Sequence, residues 1–195
     1  MSHLPPDVAQ AAGIRFVCPR CRGPLSFEEG DARCENCQAS YPSQEGIRYF
    51  FLDSAASGVT GLANYTENFF SVETAATYAH SFETVPRKRW RTKRELAVLD
   101  RLLGGDPGQC VLNIPCGSGR LSAPLRKARR LLIEADSSPG QLALNRRRVG
   151  NDPAVVLITA SAFHLPLPDA AVDTVVCARL SHHLSDAAAR ERLFG

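Results

Sequence analysis

Four cysteines near the start of the chain stand in two close pairs, Cys18 with Cys21 and Cys34 with Cys37, spaced C-x2-C-x12-C-x2-C. Two residues between paired thiols let one tight turn aim both sulfurs at a single ion. Twelve residues between the pairs leave room for a hairpin that brings the second pair to face the first. The strands of that hairpin are predicted at Leu25 to Phe27 and Ala32 to Cys34, around the turn Glu28-Glu29-Gly30-Asp31. Four thiolates with no open position describe a structural Zn2+ site, not a catalytic one. So short a segment has little core of its own, and bound zinc can supply roughly 10–16 kcal/mol of folding free energy. A redox C-x-x-C is the other reading of one such pair; two pairs at this spacing favour metal. The remaining thiols, Cys110, Cys116 and Cys177, stand singly.

A second chemical signal is the turn Pro115-Cys116-Gly117-Ser118-Gly119, which follows the apolar run Cys110 to Ile114. Helices are expected over 120–130 and 139–148. Strands are expected at Leu131 to Asp136, Val155 to Thr159 and Val172 to Cys177. Apolar strands alternating with helices imply an α/β, Rossmann-like, mostly parallel sheet covered on both faces. Such sheets bind ligands beyond the carboxyl ends of their strands, where the glycine turn and Asp136 fall. A dinucleotide fingerprint G-x-G-x-x-G is incomplete, because Ser122 holds its third glycine position.

Three units position these groups: a zinc ribbon over 1–52, a helical connector over 53–105 and the sheet domain over 106–195. Within the connector, 53–61 reads as a hinge and Tyr65 to Phe70 and Ala75 to Phe82 as short helices. A longer helix opens at Pro86 with an apolar stripe of Trp90, Leu96, Leu99, Leu102 and Leu103, ending at Gly104-Gly105. Its first turns carry Arg87, Lys88, Arg89, Arg91, Lys93 and Arg94, charges that oppose the helix dipole. Either they form a solvated face partly neutralised by Glu83 and Glu95, or they meet a phosphate backbone. The net charge of +3 neither requires nor excludes nucleic acid. No apolar run is long enough for a membrane span, and the start lacks a secretory signal, so a cytoplasmic protein without membrane contact is expected.

The segment C-P-x-C-x-G-x-L, with Tyr41-Pro42 and Gly46-Ile47 after the last cysteine, resembles the zinc ribbons of certain rRNA guanine methyltransferases. It is also similar to small zinc-binding proteins that activate partner methyltransferases. The string V-L-N-I-P-C-G-S-G resembles motif I of the class I S-adenosylmethionine-dependent methyltransferases, in which two glycines admit the methionine moiety. Ile133 to Ser138 resembles the second motif, which implies that Asp136 holds the ribose hydroxyls. Residues 160–169 resemble the adenine loop, implying contacts from Ser161 and Ala162, and 171–184 resemble the fourth-strand motif. The implied cofactor residues are thus Asn113, Gly117, Gly119, Asp136, Ser161, Ala162 and Cys177. Asn113 replaces the usual motif I acid, Pro115 the first glycine and Ser161 the usual adenine-binding acid. No catalytic residue is identified; His183, just past strand four, is the candidate general base.

The resemblance implies a sheet of seven strands in the order 3-2-1-4-5-7-6, of which this sequence holds the first four, so a C-terminally incomplete domain of order 3-2-1-4 is expected. The expected activity is methyl transfer from S-adenosylmethionine to RNA or to a small metabolite. The alternative is a non-catalytic zinc-ribbon adaptor with a degenerate cofactor domain. Strand four, apolar and free of Lys or Pro, would be a bare edge. Homodimerisation, a partner protein or the connector is expected to cover it.

Overall fold

The computed structural model describes residues 15–50, 71–104, 108–126, 131–184 and 187–194. A short hairpin opens it: β1 (Leu25–Glu28) pairs antiparallel with β2 (Asp31–Cys34), which pairs with β3 (Ser40–Tyr41). The turn falls at Glu29-Gly30, as the sequence suggests, with both residues at positive φ. Around it Phe16, Ala32, Tyr41 and Phe50 are buried, and Phe16 and Tyr41 each pack a ring within 5.4 Å of Phe50.

The chain then takes a course that the sequence pattern does not announce. After β4 (Ser43–Gln44), strand β5 (Ile47–Tyr49) leaves the hairpin unit and joins the main sheet. That sheet contains β6 (Cys110–Asn113), β7 (Leu131–Asp136), β8 (Val155–Thr159) and β9 (Thr174–Val176). Its order is β4-β5-β8-β7-β6-β9, parallel throughout except for the β4–β5 pair. The segment β8-β7-β6-β9 is the expected 3-2-1-4. Strand β5 extends it on the β8 side, with Ile47 opposite Leu157 and Tyr49 opposite Thr159.

The ribbon is anchored a second time through its first cysteine turn. Arg22, at φ 62°, donates from Nη1 to the carbonyls of Leu165 (3.1 Å) and Leu167 (2.8 Å) and pairs with Asp169 at 2.9 Å. The Val17 amide adds a bond to Pro166 O, 2.9 Å. A ribbon that shares a sheet and a loop with the α/β core packs as part of it.

Helix α1 (Val72–Thr84) is capped by Ser71, whose hydroxyl accepts the Thr74 amide, and extends the short helix expected from the sequence. Helix α2 (Pro86–Leu102) carries Pro at its first turn. Its apolar stripe divides: Leu96, Leu99 and Leu103 pack on Val111, Leu121 and Leu132, whereas Trp90 and Leu102 are 59% and 75% exposed. Helix α3 is a single turn (Ser122–Leu125), followed by α4 (Pro139–Val149) and α5 (Ala187–Phe194). The helix expected at 65–70 and the last turn of the one expected at 120–130 lie outside the described residues.

Strand four is shorter than the six residues expected. Asp173 opens the pairing instead: its amide donates to Cys110 O at 3.0 Å, and its carboxylate accepts the Gln109 and Cys110 amides, both at 2.8 Å, which fixes the entry to β6. At the other end Arg179, at φ 67°, turns the chain away. Strand β9 is the outer strand on its side, with Val175 57% exposed. Among the described residues no helix is long and apolar enough to cross a membrane.

The joined sheet makes a direct prediction. Ile47 is 1% exposed and packs on Cys116, Leu142 and Leu157 of the α/β core. Ile47→Ala should cost about 2–5 kcal/mol, the usual loss for a buried aliphatic. Urea unfolding should show that loss in the main transition. A ribbon that unfolds separately, leaving the main transition unmoved, would contradict the shared sheet.

Candidate functional site

The four paired cysteines converge. Their sulfurs all lie within 4.8 Å of one another, with Cys18 to Cys37 at 3.7 Å and Cys21 to Cys34 at 3.4 Å. Tetrahedral thiolates on one zinc ion, each about 2.3 Å from the metal, stand at such separations. The Cys37 amide donates to the Cys34 sulfur at 3.4 Å, and this bond is the main influence drawing the Cys34 thiol down to about 6. The Tyr41 hydroxyl lies 3.1 Å from the Cys18 sulfur and closes the buried side. The donor set is all sulfur, with no open position, so it suits a structural ion.

The second site is built where β6 and β7 end. The Gly117 amide donates to Asp136 Oδ2 at 2.8 Å, and the Ser138 amide donates to Oδ1 at 2.9 Å. One carboxylate thus ties the glycine turn to the start of α4, whose N-cap is Ser138. Asp136 is 7% exposed, and burial raises its carboxyl to about 6 against the pull of those amides. The Ser137 amide also draws on this carboxylate, and of its roughly four lone-pair sites at least one is left for a hydroxyl donor.

Beside this carboxylate lies a cavity of about 360 Å³. Gly117, Ser118, Asp136, Ser137 and Ser138 form one wall, and Tyr78, Phe82, Thr92 and Leu96 of α1 and α2 form the other. Gly117 sits at φ 55°, and a Cβ there would meet only Gln141 Oε1, at 3.9 Å. Gln141 Oε1 is itself a buried acceptor with no partner among the described residues, on the cavity wall. A buried, unpartnered oxygen costs about 1–3 kcal/mol, which a ligand amine or hydroxyl would relieve. Arg120 and Arg179 enter from the far side; both pair with Glu95, at 2.6 and 3.4 Å, and both lie 5.1 Å from the Phe82 ring centre.

Of the residues singled out in the sequence, Gly117, Asp136 and His183 line this cavity. Asn113 lies fully buried below it, bonded to Glu134. Gly119 faces α4 instead, where a Cβ would stand 2.0 Å from Asn145 Oδ1. Ser161 turns inward on its own loop, its hydroxyl accepting the Phe163 amide at 3.2 Å. Ala162 packs against the hydrophobic core, and Cys177 lines a separate open groove between α2 and β9. Sequence reasoning misses Tyr78, Phe82, Gln141, Arg120 and Arg179. The aromatic residues of α1 are visible as such in the string, but only tertiary packing brings them over the turn.

Two glycines at positive φ give a controlled comparison. Gly150, at φ 62°, has nothing within 4 Å of its missing Cβ, whereas Gly119, at φ 78°, is walled by Asn145 and Ser122. Gly150 has ψ −142° beside its positive φ, so Gly150→Ala should cost that backbone strain alone, about 1–3 kcal/mol, and Gly119→Ala the clash with Asn145 besides. Urea midpoints of the two variants, measured side by side, check the order.

Comparison with known proteins agrees with this architecture. Residues 112–194 match the family model described as a methyltransferase domain. The demethylmenaquinone methyltransferase of Clavibacter sepedonicus is 35% identical over 68 residues, which are 35% of this chain and 28% of that one. A Methanococcus maripaludis protein provisionally assigned to the S-adenosyl-L-methionine-dependent methyltransferases superposes with TM-score 0.50 at 17% identity, covering 64% of this chain and 57% of that one. Phosphoethanolamine N-methyltransferase 1 of Haemonchus contortus, solved with phosphoethanolamine and S-adenosylhomocysteine, gives TM-score 0.49 at 20% identity, over 63% and 28% of the two chains. The chain thus spans little more than a quarter of the curated relative and just over half of the first of these structures. Residues 112–194 thus match a methyltransferase-domain model, and the chain shares its fold with the Methanococcus maripaludis structure.

Proposed function

We propose that this chain binds S-adenosylmethionine against Gly117 and Asp136 and methylates an acceptor admitted between α1, α2 and His183. The observation that carries the reading is the buried Asp136 carboxylate, held by backbone amides with acceptor capacity to spare beside an otherwise largely apolar cavity. When bound, the cofactor supplies an electrophilic methyl group on a sulfonium. The chain's part is to hold and desolvate. Asp136 accepts the ribose hydroxyls, Gln141 Oε1 accepts an amine proton, and Tyr78, Phe82 and Leu96 exclude water. His183, on the short turn after β9, stands where it can take a proton from an acceptor N–H or O–H. Positioning of this kind accounts for most of what a direct displacement requires.

RNA is the acceptor we favour. Arg87, Arg89, Arg91, Lys93 and Arg94 are exposed on α2, the helix that also supplies Thr92 and Leu96 to the cavity wall. Arg87, Arg91 and Arg94 share one face of that helix, and such a set suits a phosphate backbone. A small ring-bearing metabolite is the second reading, supported by the aromatic wall and by the relative named for demethylmenaquinone. Labelled methyl transfer to total RNA, compared with transfer to a quinone extract, separates the two. The four cysteines we assign to one structural Zn2+. Edge strand β9 we assign to pairing, with a second copy or a partner protein, and the protein to the cytoplasm.

Three measurements test the cofactor and metal assignments. Asp136→Ala should weaken S-adenosylhomocysteine binding by about 1–3 kcal/mol in calorimetry, the loss of charge-assisted hydrogen bonds. In the intact protein that binding should tighten as pH rises through about 6, where the Asp136 acid ionises, and Asp136→Asn should abolish the pH step. The sign for stability is opposite. A carboxyl raised from 3.8 to about 6 holds its proton longer in the fold, so stability falls as pH rises across that window. Elemental analysis should find one zinc per chain, and unchanged folding of a Cys18→Ser, Cys34→Ser variant would refute the structural role.

A further inference from the structure

Directly beneath the glycine turn, Asn113 and Glu134 face each other as register partners on β6 and β7. Both are fully buried, at 0% exposure. The Asn113 Nδ2 amide donates to Glu134 Oε2 at 2.9 Å. The other oxygen of each side chain, Asn113 Oδ1 and Glu134 Oε1, is a buried acceptor with no hydrogen-bond partner among the described residues. Two orphaned acceptors on the same facing pair are costly, and a carboxylate among them costs still more.

The groups packed around Glu134 give no counter-charge. From the turn and the helix that follows it come the Ser122 hydroxyl and Cys116 thiol, and from α4 the Asn145 amide, which draw the Glu134 carboxyl down by less than burial raises it. None is a cation. A single proton on Glu134 Oε1 resolves the difficulty, because an O–H there donates to Asn113 Oδ1 while the existing N–H···O bond closes the ring. The result is a cyclic acid–amide pair with both donors and both acceptors used.

We propose that Asn113 and Glu134 form this neutral acid–amide pair and that Glu134 is thereby a positioning residue for the glycine turn. Asn113 is the last residue of β6, and only Ile114 separates it from the turn that starts at Pro115. Cys116, at the centre of the turn, accepts from Asn145 Nδ2 at 3.5 Å, and Asn145 in turn accepts from the Ser122 hydroxyl at 3.2 Å. The pair and Asn145 together fix the floor on which Gly117 meets Asp136. Burial drives the Glu134 carboxyl upward in the same direction. The effect on cofactor binding rests on the function proposed above; the protonation of the pair does not.

The test uses the whole chain with Glu134→Gln, Glu134→Ala, Asn113→Asp and the exchanged double variant Asn113→Asp/Glu134→Gln. Glu134→Gln replaces the acid by an amide that can close the same ring. It should keep S-adenosylhomocysteine affinity within about twofold, whereas Glu134→Ala, which strands Asn113, should lose at least about tenfold. Asn113→Asp should bind well at acid pH, where two carboxyls share a proton, and weaken at least about tenfold at alkaline pH, where they repel. The double variant, with acid and amide exchanged across the strands, should restore binding.

Two readouts need no cofactor. The infrared difference spectrum of wild type minus Glu134→Gln should contain the carbonyl band of a protonated carboxylic acid at neutral pH. Wild-type stability should also fall, relative to Glu134→Gln, as pH rises above the ordinary glutamate value of 4.5 and through the raised one. No such band and no difference in slope would overturn the neutral pair. Glu134→Gln as impaired as Glu134→Ala would do the same, since it would mean that a charge is required. A wild type that shows the band but binds no S-adenosylhomocysteine would uphold the pair and count against the cofactor reading alone.

Discussion

The organisation of the candidate cofactor site depends on one buried carboxylate. Asp136 ends β7, accepts the amide of Gly117 on one oxygen and that of Ser138 on the other, and so joins the glycine turn to the head of α4. A carboxylate takes such a place only where amide dipoles offset its desolvation. The two backbone bonds provide part of that offset, and burial still lifts its pKa to about 6. The turn therefore has its open shape because an acid lies beneath it. The lone pairs left over are what a ligand would find.

Much of this is legible in the amino-acid sequence. The cysteine spacing calls for a hairpin with two facing turns, and the hairpin is there, down to its Glu29-Gly30 corner. Alternation of apolar strands and helices implies the parallel sheet, and the motif resemblance implies the order of its central four strands. The spacing, periodicity and turn chemistry behind these features lie within a few residues of one another. What the string hides is tertiary. Ile47 to Tyr49 is too short and too ordinary to announce that it crosses from the ribbon into the main sheet. Asp173 reads as part of a strand, yet it bonds to the amides of Gln109 and Cys110, over sixty residues earlier. Phe82 and Gln141 become cavity residues only because α1 and α4 meet over the turn.

Position and chemistry also part company at Asn113. Along the chain, its amide is a loss of charge at a place where an acid is usual. Across the sheet, the acid is one strand away, at Glu134, fully buried and hydrogen-bonded to that amide. A one-dimensional motif records which residue occupies a place in the string. The packed interior records which pair of groups occupies a place in space.

The pairing of β5 with β8 has a further consequence, for how copies of such a sheet can meet. On that side the sheet ends in β4, two residues long, which offers an incoming strand almost no template. On the other side β9 presents an apolar edge, flanked by the exposed Trp90 and Leu102 of α2. A sheet with two adhesive margins can propagate into a fibril, each unit recruiting the next. Among the described residues the N-terminal strands blunt one margin of this sheet, so the segment that braces the α/β core also withholds that edge from an incoming strand.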